Sequence, residues 1–452
     1  MRIVIVGDGK VGITLTQRLA LEGHDLVIID HNRRVLQETA AKYDVIGIVG
    51  NGASLKTQQE AEVEKADLLI AASSADEVNL LCCILAKKLG VKRSIARVRN
   101  PEYTEQLALL KKDLGLSMTI NPELAAANEM LNLIHFPAAL KRETFAKGRA
   151  EIIELKLNKG NILCGKFLRE LYPLTKLHVL VCAVERGNEV FIPSGDFQLR
   201  TGDSIYVTGT YRNLAAFVQK LDFAEKKIRN VMLVGGSRIA YYLARALLAE
   251  DYNVKILEMD AKRCEELAAD LPGAQIIHAD GTQTEVLDAE GIEDADAFIT
   301  MTDLDEVNIV LSMYAKQLGV YKVITKINRM EYDDLATRME VESIVTPKDI
   351  VCNDIVAYVR AMENTSISSV LSLHRLVQDK VEALEFSVTD RTRHLEVPLK
   401  DLPIKPGILL ACISRSGRII IPGGNDVLRQ EDTVVIVTTS DRMYSNLNEI
   451  FE

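Results

Sequence analysis

A chain of 452 residues is longer than one hydrophobic core normally organises, so two to four domains are expected. Its 64 acidic and 54 basic residues give a net charge of −10, which removes the broad basic footprint of a nucleic-acid binder. Hydrophobic residues at 48% suit a soluble globular chain, and no run of 18 apolar residues marks a membrane span.

In chain order, Arg2–Val6 is a short β-branched run that predicts a buried parallel strand; the apolar start is too brief for a signal peptide. Gly7-Asp8-Gly9-Lys10-Val11-Gly12 follows it, and Val11, Leu15 and Leu19 then recur at helical spacing until Gly23. A G-x-G-x-x-G between strand and helix predicts a dinucleotide turn. Gly7 permits the tight turn, Gly9 lets backbone approach a pyrophosphate, and Gly12 allows close helix–strand packing. Free amides and the positive end of the helix dipole then face the phosphates. Asp30 ends the next predicted strand, Leu26–Asp30, where a carboxylate accepts ribose hydroxyls and repels a 2′-phosphate, disfavouring NADP. The competing reading is a bare structural turn with Asp30 as a helix cap.

Further strands are predicted at Val45–Val49, Leu68–Ala72 and Ser94–Val98, with a helix over Val78–Leu89. This alternation predicts an α/β fold with a doubly wound, Rossmann-like parallel sheet. Asp76-Glu77 opens a helix, where acids suit the dipole; a carboxylate pair for a cation or for acid–base work is the alternative. A connecting helix is expected from Asn121-Pro122 to about Phe136. From Arg149 to Leu221, short apolar runs such as Leu177–Val184 lie between Gly, Pro and Asn turns, predicting a small α+β domain. Pro193 and Pro422, with the glycines at 195 and 423, read as hairpin turns, and Ala224–Arg229 reads as a charged linker.

Beyond the linker the plan repeats. Gly7 and Gly235 are 228 positions apart, as are Asp30 and Glu258. Asp76-Glu77-Val78-Asn79 recurs as Asp305-Glu306-Val307-Asn308 after 229, and the stretch from Ile192 recurs from Ile421 at the same offset. Landmarks at a near-constant shift imply tandem duplication of a domain pair. The expected domains are nucleotide-binding lobes at 1–136 and 228–363, each followed by a small α+β domain, 137–223 and 364–452. The second turn, Gly235-Gly236-Ser237-Arg238-Ile239-Ala240, keeps only the first of the three glycines. Ser237 adds a Cβ where backbone should approach phosphate, Arg238 adds compensating charge, and Glu258 keeps the carboxylate. This half reads either as a second binding site or as a decayed one.

The seven cysteines (82, 83, 164, 182, 264, 352 and 412) form neither a CxxC pair nor a disulfide rhythm, which implies a reducing, intracellular setting. The histidines have no metal-ligand spacing, and Met313, Met330, Met339 and Met362 are scattered and read as packing. No catalytic or metal-binding residue is predicted.

The glycine turn, the acidic end of the second strand, Gly50-Asn51-Gly52, Ser73-Ser74 before the Asp-Glu-Val-Asn string, and Ala96-Arg97-Val98 resemble the N-lobe of regulator-of-potassium-conductance domains. The I-P-x-G…L-x-x-x-D stretches resemble the C-lobe of that family. Two such pairs in one chain resemble the Trk-type potassium-uptake regulators. The resemblance implies a cytoplasmic, non-enzymatic subunit, peripheral to the inner face of the membrane. It would bind NAD(H) or ATP/ADP and gate a potassium-translocating integral membrane subunit, as a homo-oligomer in which four chains make an eight-lobed ring. By position, it implies that Gly7 to Val11 hold phosphates, Asp30 a ribose, Asn51 and Gly52 the adenine, Ser73 and Ser74 the far ribose, and Arg97 a distal phosphate. In the second copy these become Gly235 to Ile239, Glu258, Asp280, Gly281, Thr302 and Lys326. An NAD-dependent dehydrogenase is the enzymatic alternative, but neither small domain offers a repeated acid–base group. A structural adaptor with vestigial pockets is the third reading, and the intact first turn argues against it.

Overall fold

The computed structural model describes residues 1–103, 106, 114–221, 223, 226–329, 339, 341, 343–363, 370–377, 380–439 and 442–452. Met330, the first two residues of the expected linker (224 and 225) and the expected start of the fourth domain at 364 lie outside them.

Runs of apolar, β-branched residues form the central strands of a parallel sheet because helices cover both faces. The strands are β1 (Arg2–Val6), β2 (Asp25–Asp30), β3 (Ile46–Val49), β4 (Leu68–Ala71), β5 (Ser94–Arg97) and β6 (Met118–Ile120), in the order β3-β2-β1-β4-β5-β6. Every pairing is parallel. Ile3, Val4 and Ile5 of β1 are fully buried, and Val4, Val6, Leu69 and Ala71 meet Cys82, Cys83 and Ala86 of the helix Asp76–Leu89 in one core. The cysteine pair is therefore packing, and burial pushes both thiols up to about 12. After β3 the chain returns to the other side of β1 to form β4. A ligand crevice in such a sheet lies at that reversal, beyond the carboxyl ends of the strands.

The next domain is antiparallel throughout: β7 (Arg142–Phe145), β8 (Ala150–Lys156), β9 (Leu180–Arg186), β10 (Glu189–Phe191) and β11 (Ser204–Gly209), ordered β10-β9-β11-β8-β7. The second half repeats both sheets. Strands β12 (Asn230–Val234), β13 (Asn253–Glu258), β14 (Gln275–His278), β15 (Ala297–Thr300), β16 (Lys322–Lys326) and β17 (Ser343–Val345) are parallel, ordered β14-β13-β12-β15-β16-β17. Strands β18 (Val370–Leu376), β19 (Val381–Ser387), β20 (Ile408–Arg415), β21 (Arg418–Ile420) and β22 (Thr433–Thr439) are antiparallel, ordered β18-β19-β22-β20-β21.

The proline segments are not hairpin turns. β10 and β11 both pair with β9, on opposite sides, so Pro193 lies in a crossing between non-neighbours. Pro422 likewise lies between β21 and β22, which are separated by β20. The β9–β10 and β20–β21 hairpins turn instead at Gly187 and Gly417, whose φ angles of 61° and 80° suit glycine.

The chain divides into two compact units, Met1–Ala126 with Thr346–Val356, and Ala127–Val345 with Ala357–Glu452. In the first unit, the start of the helix Pro347–Glu363 docks on the helix Lys10–Leu21 through Arg18, a buried guanidinium bonded to Asp349 Oδ1 at 2.8 Å and Asn353 Oδ1 at 2.5 Å. In the second unit, the two antiparallel sheets share one core. Phe145, Ile152, Ala183 and Tyr206 meet Leu376, Ala383, Ala411 and Val437 there. No described helix is long and apolar enough to cross a membrane.

Candidate functional site

Gly7 has φ of 98° and donates its N–H to Ile29 O at 2.8 Å, which holds the turn against β2. A Cβ on Gly7 would sit 2.8 Å from the Ser73 amide nitrogen, and one on Gly12 would sit 1.9 Å from Gly7 O. Both glycines are thus demanded by backbone approach within the protein. Gly9 differs, because nothing lies within 4 Å of its Cβ direction. Gly9 and Lys10 are exposed, Val11 is buried, and the helix Lys10–Leu21 begins with no side-chain cap. Its first amides have no side-chain acceptor, as an incoming anion requires.

Asp30 is mostly buried, and its oxygens accept Asp8 N at 2.7 Å and Asn32 N at 2.8 Å. These bonds aim the carboxylate while leaving lone pairs for hydroxyl donors. The cap of the helix Arg33–Lys42 is Asn32, whose Oδ1 accepts Arg34 N and Val35 N, so Asp30 is not spent as a cap. Asp8 is buried beneath this rim and takes a 2.7 Å bond from Thr39 Oγ1. Burial, reinforced by Asp30, raises its carboxyl above the usual range despite the Thr39 bond.

The other predicted residues follow the carboxyl ends of β3, β4 and β5, on the same edge. Asn51 Oδ1 accepts Ala53 N at 2.9 Å, and a Cβ on Gly52 would meet Val6 Cγ1 at 2.2 Å. Ser73 is held by the buried Asn79, whose Oδ1 accepts both its N and Oγ. Ser74 is exposed and its carbonyl accepts Arg99 Nη2. Arg97 ends β5 and contacts Glu123 at 3.5 Å.

In the second copy, Gly235 repeats the turn at φ of 101° and bonds Leu257 O at 2.9 Å. Gly236 stands where Asp8 stood. A Cβ there would lie 2.9 Å from Glu258 Oε2, so the longer acid uses the space. Glu258 accepts Gly236 N at 2.5 Å and Asp260 N at 2.8 Å, reproducing the Asp30 arrangement. Ala240 is fully buried at the position of Gly12, and a Cβ on Gly235 would correspondingly sit a wider 3.2 Å from Met301 O. Ser237 Oγ accepts Ala240 N, so this helix is capped by its own side chain. Arg238 is exposed and Ile239 buried. Asp280 bonds Thr282 N, Thr282 Oγ1 and Gln283 Nε2, chiefly the Thr282 hydroxyl, which lowers its carboxyl. Gly281 packs closely on Val234, and Thr302 is held by Asn308 as Ser73 is by Asn79. Lys326 is nearly buried and donates to Met301 O at 3.3 Å.

The sequence reading missed what the duplicated Asp-Glu-Val-Asn string does. Asn79 Nδ2 also donates to Ser73 O and Arg97 O, and Asn308 Nδ2 to Thr302 O and Lys326 O, so each amide ties β4 to β5 or β15 to β16. Asp76 Oδ2 accepts Arg99 N and Asn100 N, and Asp305 accepts Asn328 N and Arg329 N. These carboxylates staple the loops after β5 and β16. Exact repetition of four residues was the available signal. Arg263, which donates Nε to Gly236 O at 2.7 Å, left no such signal. Among the described residues, no group of three or more His, Cys, Asp or Glu is placed to hold a metal.

The TrkA-N domain family matches residues 3–122 and 231–347, and the TrkA-C domain family matches 152–222 and 384–449. The chain belongs to the TrkA family. It is similar, at 33% identity over the whole of both chains, to a Trk system potassium uptake protein TrkA homolog from Archaeoglobus fulgidus. Among solved structures it is similar to the GsuK RCK domain, with a TM-score of 0.63 and 17% identity over 97% of this chain and 92% of that one. The GsuK channel bound to NAD matches with a TM-score of 0.61 and 17% identity, over 97% of this chain and 77% of that one. These likenesses place the TrkA-type chain in the fold of paired Rossmann-like and antiparallel domains.

Proposed function

We propose that this chain is the nucleotide-sensing regulatory subunit of a Trk-type potassium uptake system, binding NAD(H) or ATP/ADP and gating a potassium-translocating membrane subunit. The observation that carries the reading is the first turn. Its helix is uncapped, Gly9 leaves its mouth open, and Asp30 is aimed beside it by two backbone amides. A diphosphate meets the amides and a ribose meets Asp30. A GsuK channel of the same fold, bound to NAD, supports the ligand class. The second turn, capped by Ser237 and tied through Gly236 to Arg263, is the weaker or differently tuned site.

Gating follows from differential affinity. A ligand shifts conformations only by the difference in its affinity for them, typically about 1–3 kcal/mol. We place the chain in the cytoplasm as a tetramer whose eight nucleotide-binding lobes form a ring against the membrane partner.

Calorimetric titration of the full chain with NADH, NAD and ATP tests the reading. Asp30→Ala is expected to weaken NADH at least tenfold, the loss of about 1.4 kcal/mol or more for charge-assisted bonds, with little change in melting temperature. Absence of binding by all three nucleotides would remove the sensor reading.

A further inference from the structure

Inside the first turn lies a carboxyl that neither the fold nor the seating of a diphosphate accounts for. Asp8, between Gly7 and Gly9, is 2% exposed. Its Oδ2 accepts Thr39 Oγ1 at 2.7 Å, and its Oδ1 is buried with no hydrogen-bond partner among the described residues. A buried acceptor left without a donor destabilises a fold. The second copy builds the same turn without one. Gly236 stands at the position of Asp8 and Leu267 at that of Thr39, each 228 positions on. Leu267 is fully buried, and its Cδ1 would lie 2.7 Å from a Cβ on Gly236, so the leucine fills the corresponding space. Gly235, at φ of 101°, and Glu258 nevertheless keep the arrangement of Gly7 and Asp30. Exchanging both partners of a buried polar pair for apolar groups is commonly neutral or stabilising. Asp8 and Thr39 are therefore dispensable for the turn, and they distinguish the first pocket from the second.

Beside Asp8 stands a second acid. Asp30 Oδ2 accepts the Asp8 amide at 2.7 Å, and Asp30 Oδ1 accepts Asn32 N at 2.8 Å. Two amides hold Asp30 as an acceptor for ligand hydroxyls, whereas a single hydroxyl holds Asp8, so a proton entering this pair belongs on Asp8. Among the described residues, the groups facing Asp8 are Asp30, from the end of β2, and Thr39, from the helix Arg33–Lys42. His31, its side chain 90% exposed, has Nδ1 3.3 Å from Asp30 Oδ1. Burial, reinforced by Asp30, raises the Asp8 carboxyl above its ordinary range. In the open pocket, water at the rim screens the two acids from each other. A ribose seated on Asp30 removes that water, and the repulsion between them grows.

We propose that Asp8 is a proton acceptor that couples nucleotide binding at the first turn to pH: a ribose covering Asp30 drives a proton from solvent onto Asp8 Oδ1, and the ligand is held less tightly where protons are scarce. This rests on nucleotide binding at the first turn, as proposed above, and adds a regulation that the second copy, with Gly236, lacks. The step is a protonation alone: solvent supplies the proton, Oδ1 gains an O–H bond, and the carboxylate charge is neutralised. The liganded pocket holds this proton more tightly than the open one. Affinity is therefore highest below the range in which the open pocket titrates, and falls as pH rises through the range of the liganded pocket.

Calorimetry of the full chain with NADH, whose diphosphate does not titrate near neutrality, tests the coupling at about pH 6 and about pH 8, in two buffers of unlike ionisation heat. The wild type is expected to take up protons on binding and to lose affinity about fivefold or more towards the higher pH. Asp8→Asn, a neutral stand-in for the protonated acid, is expected to bind without proton uptake, its affinity changing less than about twofold between the two pH values. His31→Gln is expected to keep the uptake. Uptake that persists in Asp8→Asn or vanishes in His31→Gln overturns the proposal, as does binding by the wild type that is indifferent to pH. If Asp8→Asn fails to fold, Asp8→Gly combined with Thr39→Leu, the pair on which the second copy is built, is expected to lose the uptake in the same way, and uptake retained there overturns the proposal. Failure of the wild type to bind NADH at either pH instead removes the reading beneath it, so the two failures are told apart.

Discussion

At the scale of single residues, the three glycines of the first turn have unlike reasons. Gly7 and Gly12 are excluded from carrying a Cβ by backbone atoms at 2.8 and 1.9 Å, and Gly9 is not excluded at all. Gly12→Ala is expected to force the helix Lys10–Leu21 away from β1. Overpacking of this kind costs about 1–3 kcal/mol, visible as a lowered melting temperature, with at least a tenfold loss of NADH affinity in calorimetry. An unchanged melting temperature would mean that the turn relaxes as its second copy has, around Ala240. Gly9→Ala is expected to leave stability alone and weaken the ligand, which separates a folding role from a binding one.

Among elements, the helix Pro347–Glu363 comes from the second half of the sequence yet gives its first turns to the unit built on the first parallel sheet. Arg18 anchors it, 97% buried, through Asp349 and Asn353. Removing one partner from a buried charged network leaves the other uncompensated, at about 3 kcal/mol or more. Arg18→Ala is therefore expected to lower the denaturant midpoint of the first unit, and proteolysis is expected to open the segment from Thr346 to Val356 first. A midpoint equal to wild type would show that other contacts, such as the hydrogen bond from the Cys352 thiol to the Val11 carbonyl, hold the helix unaided.

For the molecule as a whole, the halves meet through their antiparallel sheets, and a charged group lies beside that shared core. Glu143 bonds His374 at 2.5 Å, Lys141 lies 3.4 Å from Glu143, and Glu129 faces all three. Burial, with the Glu143 carboxylate beside it, pushes the Glu129 carboxyl well above its ordinary 4.5 while Lys141 and His374 oppose. The folded chain thus holds this proton more tightly than the unfolded chain. Its contribution to stability is complete below pH 4.5 and is lost as pH rises through the raised value. Glu129→Gln is expected to flatten that part of the stability–pH curve measured by denaturant unfolding. An identical slope in the variant would assign the titration elsewhere.

Much of this was legible in the residues themselves. The glycine turn, the acid ending β2 and the alternation of strands and helices depend on neighbours within a few positions, and a duplication announces itself by its offset. The structure places these residues along the carboxyl edge of each parallel sheet, because parallel strands separated by helices present their ends together. The string Asp76 to Asn79 was visible and opens a helix as read, but its stapling role was missed, since which atoms its side chains hold depends on a loop about 20 positions away. Arg18 with Asp349, 331 positions apart, and Glu143 with His374, 231 apart, could not be read at all. Sequence spacing determines local backbone and which face of an element is apolar. Only the tertiary structure decides which faces meet, because that choice rests on the summed burial and charge pairing of surfaces distant in the chain.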